Sequence, residues 1–115
     1  MDELELKPRP TLADFQEYVE RMTKARGFTN TNAEVFMLFL EEVGELAKAA
    51  RKREKAMRTD AQSAVFDIEL EAADVFLFLL DICNRYGVDL EKALRKKEEI
   101  NKTRSWAANS EQGVS

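Results

Sequence analysis

Two acidic clusters interrupt the most apolar stretches of this chain, and they restrict its fold more than any other feature. The first cluster, residues 41–45, follows the apolar run 35–40. The second, residues 69–74, leads directly into the apolar run 75–80. Acidic side chains normally lie on a solvated face, because burying an unpaired carboxylate is costly. Carboxylates set into core-forming segments therefore need a specific explanation.

Composition and spacing indicate helices. Leu, Ala, Glu, Lys and Arg dominate, while four glycines and two prolines leave long uninterrupted segments. Apolar residues at helical spacing predict helices at about 12–25, 32–53 and 89–105, and a third helix that begins between residues 60 and 63 and ends at about 86. A chain of 115 residues is long enough for one domain with its own core. We therefore predict an all-α fold, a four-helix bundle.

Local signals mark the helix ends. Thr11, with Asp14 three residues later, is a capping-box-like start for the first helix. Gly27 and Gly87 are placed to end the first and third helices, and Asp89 to cap the fourth.

The same pattern gives the domain limits. Residues 1–10 hold both prolines and are interpreted as an extended leader. Residues 11–106 are predicted to form a single helical domain. The small and polar residues 107–115 are predicted to be a flexible tail.

The third predicted helix is apolar nearly all round between residues 72 and 83. Such a helix is buried on most sides, and the three other helices of one subunit can hardly cover it. We therefore predict a homo-oligomer, either a dimer or a pair of dimers.

Residue counts exclude several kinds of function. The 22 acidic and 18 basic side chains give a net charge of -4, which argues against nucleic acid as the main partner. The absence of histidine excludes His-based triads and zinc sites that use His. One cysteine, Cys83, allows no intrachain disulfide and fits the reducing cytoplasm. No apolar run approaches the ~20 residues that span a bilayer, so no membrane partner is expected.

Each acidic cluster contains two carboxylates on one helix face. Glu42 and Glu45 are three residues apart, as are Glu71 and Asp74, so each pair projects from one side of its helix. If the two helices pack antiparallel, four carboxylates converge and each close pair repels by roughly 1–4 kcal/mol. Either some are protonated or cations lie among them. An all-oxygen set favours a hard cation, Mg²⁺ or alternatively Mn²⁺.

A solvated surface is the competing interpretation. A lone Glu-x-x-Glu pair on a helix is usually just an exposed face. Two such pairs beside apolar runs on neighbouring helices favour a site instead. Gly44 also favours a functional site. A glycine inside a helix destabilises the helix by ~1 kcal/mol relative to alanine, so its presence suggests close packing or a ligand near the backbone.

The two motifs, in this order, are similar to those of a known family. Residues 41–46 read EEVGEL, and residues 71–74 read Glu-Ala-Ala-Asp before an aliphatic run. The chain thereby resembles the all-α nucleoside triphosphate pyrophosphohydrolases of the MazG type, whose pattern is Glu-x-x-Glu, a variable gap and Glu-x-x-Asp. The pair Ala72-Ala73 departs conservatively from the usual Leu-Ala. The resemblance covers about residues 12–104.

That resemblance implies an activity and a metal site. The family hydrolyses a nucleoside triphosphate between the α and β phosphates, giving a monophosphate and pyrophosphate, and requires Mg²⁺. By resemblance, the metal ligands here would be Glu42, Glu45, Glu71 and Asp74. The expected partner is a nucleoside triphosphate substrate.

Further residues gain a role from the same resemblance. A Lys-x-x-x-Asn-x-x-Arg element of the family is matched by Lys97, Asn101 and Arg104, which form one stripe of the fourth helix. They would bind substrate phosphate or base, although from the residues alone a solvated helix end is preferred. Glu41, next to Glu42, is a candidate general base, with a solvated charge as its alternative.

Two other functions stay open. A phosphoribosyl-ATP pyrophosphohydrolase shares the fold type and the use of metal. A non-catalytic helical module would instead offer an acidic stripe to a basic partner. Burial discriminates between a catalytic site and a module, because catalytic carboxylates converge in a cleft and an interaction stripe faces outward.

Overall fold

The computed structural model describes residues 4–56 and 62–104 and is all-α over these ranges, as predicted. The four helices are α1 Leu12–Ala25, α2 Asn32–Ala56, α3 Gln62–Arg85 and α4 Leu90–Lys102. They agree with the predicted helices to within a few residues. The predicted tail, residues 107–115, lies outside the described residues.

Reciprocal capping fixes the starts of the first two helices. At α1 the Asp14 N–H donates to Thr11 Oγ1 at 3.1 Å, and the Thr11 N–H donates to Asp14 Oδ2 at 3.0 Å, which confirms the predicted capping box. Thr31 and Glu34 make the same pair of bonds at α2, at 2.7 and 3.1 Å. Asp89 caps α4 by accepting from a backbone N–H, as predicted.

Glycines end α1 and α3. Gly27 and Gly87 have φ of +67° and +65°, the left-handed conformation that glycine adopts at least cost. The next N–H in each case reaches back to a helix carbonyl: Phe28 to Thr23 at 3.0 Å and Val88 to Cys83 at 2.8 Å. These bonds form Schellman motifs and turn the chain sharply.

The helices pack in a definite order. α2 and α3 make the most extensive contact, α1 packs on α3, and α4 packs chiefly on α1. The link between α2 and α3 is short, and short links join antiparallel neighbours. Val19, Met22 and Leu80 form the buried core between α1 and α3. Phe15 and Phe76 meet beside it edge to face, with ring centroids 5.4 Å apart.

The single chain leaves a helix face uncovered. Phe36, Met37, Leu40 and Val43 on α2 are all exposed, with Leu40 65% exposed, and we call these four the apolar face of α2. Among the residues of α3 whose side chains the structure describes, only Leu80 and Cys83 are buried. Among the described residues, no helix is long and apolar enough to cross a membrane.

Candidate active site

Three of the four predicted metal ligands converge between α2 and α3. Glu42 of α2 meets Glu71 and Asp74 of α3, and one carboxylate oxygen from each lies within 4.8 Å of the other two. Glu71 and Asp74 are neighbours because they are three residues apart on one helix. The packing of α2 along α3 adds Glu42 to them. We call these three residues the carboxylate cluster.

Crowding perturbs the ionisation of Glu42. Partial burial raises the pKa of Glu42 above its ordinary value, and the adjacent Glu71 carboxyl raises it further. The negative charges of Asp74 and Glu45 act in the same direction. Glu42 therefore holds a proton more readily than a solvated glutamate does.

One oxygen of the cluster is buried without a donor. Glu71 Oε2 has no hydrogen-bond partner among the described residues. Leaving a buried acceptor unpaired costs about 1–3 kcal/mol, and more for a charged group. A hard cation satisfies such an oxygen and neutralises its neighbours, so the donor set fits Mg²⁺ or Mn²⁺.

Glu45 and Glu41 do not belong to the carboxylate cluster. Both side chains are exposed, and neither belongs to the group of oxygens within 4.8 Å of one another. Glu45 is near enough for its charge to raise the pKa of Glu42. The roles of Glu45 as a ligand and of Glu41 as a base stay predictions.

Lys97 and Asn101 lie on α4, but Arg104 follows the end of this helix at Lys102, so the predicted helical stripe does not include it. The main helix contacts do not bring these residues to the cluster, since α4 packs chiefly on α1. Lys97 and Arg104 are exposed, and the Asn101 amide donates to Glu98 Oε2 at 2.9 Å. Substrate binding by Lys97, Asn101 and Arg104 also stays a prediction.

Gly44 faces open space. A Cβ added there would meet nothing within 4 Å. The expectation that this glycine allows close packing is therefore wrong within the described single chain, and the alternative expectation, a ligand near the backbone, stays a prediction.

The sequence patterns missed a pocket of about 160 Å³ next to the cluster. Its walls come from α1 with the turn that follows it, and from one face of α3. The lining residues are Met22, Thr23, Arg26, Phe28, Asp74, Leu77, Phe78 and Asp81. The only signal in the sequence is the spacing of the α3 members at i, i+3, i+4 and i+7. The contact with α1 joins distant parts of the chain and leaves no local pattern.

A hydrogen-bonded arginine fixes the turn that carries part of this pocket. Arg85 Nε donates to Asp81 Oδ1 at 3.1 Å on α3. Its Nη1 donates to the Asn30 carbonyl at 2.9 Å and to Asn32 Oδ1 at 3.0 Å. Arg85 thus ties the turn between α1 and α2 to the end of α3.

Comparison with known proteins identifies one partial relative. The chain is 38% identical over 68 residues to a protein of Cyanophage S-2L named dATP/dGTP diphosphohydrolase. The match covers 59% of this chain and 51% of that protein, so the chain spans about half the length of the curated relative it matches. No family model matches the chain. The relative's activity therefore enters as a hypothesis.

Proposed function

We propose that this protein is a metal-dependent nucleoside triphosphate pyrophosphohydrolase. It cleaves between the α and β phosphates and releases a monophosphate and pyrophosphate. The observation that supports this most directly is the convergence of Glu42, Glu71 and Asp74, with a buried oxygen that lacks a donor. The name of the cyanophage relative and the resemblance to the MazG type agree with a nucleotide substrate.

The residues of the site have distinct tasks in this proposal. Glu42, Glu71 and Asp74 would hold Mg²⁺, with Glu45 as a further predicted ligand. When bound, such an ion neutralises the triphosphate, acts as a Lewis acid and lowers the pKa of a bound water. Glu71 contributes its buried Oε2 as a fixed acceptor. A carboxylate at the rim, for which Glu41 is the candidate, accepts the proton of the attacking water.

The rival functions make different demands on the structure. A non-catalytic acidic module needs outward-facing carboxylates, whereas Glu42 and Glu71 are partly buried. This partial burial argues against a non-catalytic interaction module. Phosphoribosyl-ATP is kept as one member of the substrate panel.

The direct test is hydrolysis of ribo- and deoxyribonucleoside triphosphates and of phosphoribosyl-ATP with Mg²⁺, with the products resolved by ³¹P NMR. We expect pyrophosphate and the nucleoside monophosphate. Glu42→Gln and Asp74→Asn should abolish turnover without loss of helicity. Glu69→Gln is the matched control, because Glu69 is an exposed carboxylate on α3 outside the cluster. Release of inorganic phosphate instead, or normal turnover in both cluster variants, contradicts the proposal.

We also infer that the chain acts as a homo-oligomer. The apolar face of α2 leaves Met37 and Leu40 about two-thirds exposed, and contiguous exposed apolar surface of this kind marks association sites. A second copy would cover the face and the open backbone at Gly44, which lies in the same stretch of α2.

A further inference from the structure

The fourth helix is held to the bundle less firmly than the others. Among the described residues, no side chain of α4 is buried, whereas each of the other three helices has at least two buried side chains. Leu94 and Ile100 of α4 are both about half exposed. Leu90, the first residue of the helix, packs against the core between α1 and α3. The apolar attachment of α4 is therefore concentrated at its start.

One glutamine side chain strengthens this attachment. Gln16 of α1 donates from Nε2 to the Val88 carbonyl at 2.8 Å and to Asn84 Oδ1 at 3.0 Å. Its Oε1 accepts from the Leu90 N–H at 3.0 Å. Asn84 of α3 donates from Nδ2 to the Gln16 carbonyl at 2.8 Å. We call Gln16 and Asn84 the amide latch, because their bonds join α1 to the end of α3 and the start of α4.

The end of α3 is complete without the latch. The Val88 N–H donates to the Cys83 carbonyl at 2.8 Å and closes α3 through the turn at Gly87. The Leu90 N–H, in contrast, lies in the first turn of α4, where backbone N–H groups have no partner within the helix. Release of the latch therefore leaves the end of α3 intact and leaves the start of α4 without an acceptor.

Opening of α4 costs less than opening of the core. It breaks the bonds of the latch to Val88 and Leu90 and exposes Leu90, while Leu94 and Ile100 lose little cover because they are already half exposed. Segments with few buried apolar contacts open well below the free energy of global unfolding. α4 has 13 residues, and isolated helices of about this length are marginally stable in water. Once detached, α4 loses its helical hydrogen bonds.

We propose that α4 is a conformational switch segment, which detaches and unfolds as a unit while α1, α2 and α3 stay folded, and that the amide latch sets how often it does so. Lys97 and Asn101 lie on α4, so their position relative to the carboxylate cluster is fixed only while the latch is closed. The switch involves no residue of the cluster, and it holds whether or not the proposed function does.

Hydrogen exchange of the full chain at neutral pH, measured by mass spectrometry on peptides, tests the switch. In the wild type the amides of residues 94–102 should exchange at least about tenfold faster than those of residues 74–85, because local opening exposes only the former. Gln16→Leu keeps the size of the side chain and removes its hydrogen bonds. It should accelerate exchange in α4 roughly tenfold or more, since each net hydrogen bond changes an equilibrium about fivefold, with exchange in α2 and α3 within about twofold of the wild type.

A second variant and a control complete the design. Gln16→Glu keeps the acceptor for the Leu90 N–H but has no N–H to donate to Val88 and Asn84, so it should also accelerate exchange in α4. Glu17→Gln, at the exposed neighbouring position on α1, should exchange as the wild type does.

Three results would overturn the switch. The first is exchange of wild-type α4 as slow as that of α3. The second is an unchanged rate for α4 in Gln16→Leu, and the third is an equal acceleration of all four helices, which would show a loss of global stability instead of local release. Circular dichroism verifies the fold of each variant, and Gln16→Glu decides the matter if Gln16→Leu does not fold.

Discussion

Replacing Glu42 by glutamine should stabilise the metal-free protein while weakening its response to Mg²⁺. Glu42 faces two other carboxylates, each with an oxygen within 4.8 Å of its own. The substitution removes its charge with little change of shape. The new amide also supplies a donor near Glu71, whose Oε2 has none among the described residues. Both effects favour the folded state when no cation is bound.

The magnitude follows from the distance. Two unit charges 4.8 Å apart repel by about 1 kcal/mol in water and about 3 kcal/mol at an intermediate dielectric. Glutamine at position 42 removes the two repulsions that involve Glu42 and leaves the one between Glu71 and Asp74. Asp74 is exposed, so solvent screens its share. A net gain of about 1–2 kcal/mol is expected.

Urea unfolding followed by circular dichroism measures this gain, in EDTA and in Mg²⁺ at neutral pH and fixed protein concentration. The wild type should gain stability with Mg²⁺, by about 2.7 kcal/mol at one hundred times the dissociation constant. Glu42→Gln should have a higher free energy of unfolding than the wild type in EDTA, and this free energy should rise less when Mg²⁺ is added. Glu69→Gln should follow the wild type in both buffers. An unfolding free energy in EDTA that is unchanged or lower for Glu42→Gln would refute the repulsion argument.

Three further predictions concern other parts of the molecule. Burial and neighbouring carboxylates raise the pKa of Glu42, so above the ordinary glutamate value of 4.5 the native state keeps a proton that the unfolded chain has released. In EDTA, the free energy of unfolding of the wild type should therefore fall as the pH rises above 4.5. Urea titrations at several pH values should show a smaller fall for Glu42→Gln. Gly87→Ala should lower the free energy of unfolding by about 1 kcal/mol, because Gly87 has a φ of +65°. Gly44→Ala should raise the free energy of unfolding of the subunit by up to ~1 kcal/mol, because Gly44 lies inside a helix with open space around it. Equal effects of the two substitutions in urea unfolding would contradict this. Leu40→Glu should reduce the mass measured by light scattering to that of one chain, and a monomeric wild type would exclude the homo-oligomer.

Local chemistry explains why the helix ends were predictable from the sequence. Thr11 with Asp14, and Asp89 alone, satisfy backbone N–H groups within three residues. Gly27 and Gly87 adopt a conformation that few other residues accept. Each signal lies next to the feature it determines, and nothing distant overrides it. The reciprocal hydrogen bonds of Thr31 and Glu34 are equally local, so the start of α2 can be predicted from the sequence in the same way.

Glu45 shows where such reasoning stops. Residues three apart on a helix differ by about 60° in direction. Whether both reach one point therefore depends on how the helix is rotated about its axis. Packing of α2 on α3 sets that rotation, and it places Glu42 in the cluster with Glu45 exposed beside it. The pocket depends in the same way on contacts between α1 and α3 and on Arg85, which binds residues more than fifty positions away.

Asp74 determines the direction from which a substrate meets the site. Within the cluster, Glu42 and Glu71 are partly buried and Asp74 is exposed, so charge is accessible mainly on the Asp74 side. The pocket opens from that same residue along α3. Under the proposed function, a triphosphate that approaches there would meet the carboxylate cluster and the pocket on one continuous surface. Asp74→Asn should therefore impair both metal binding and nucleotide binding.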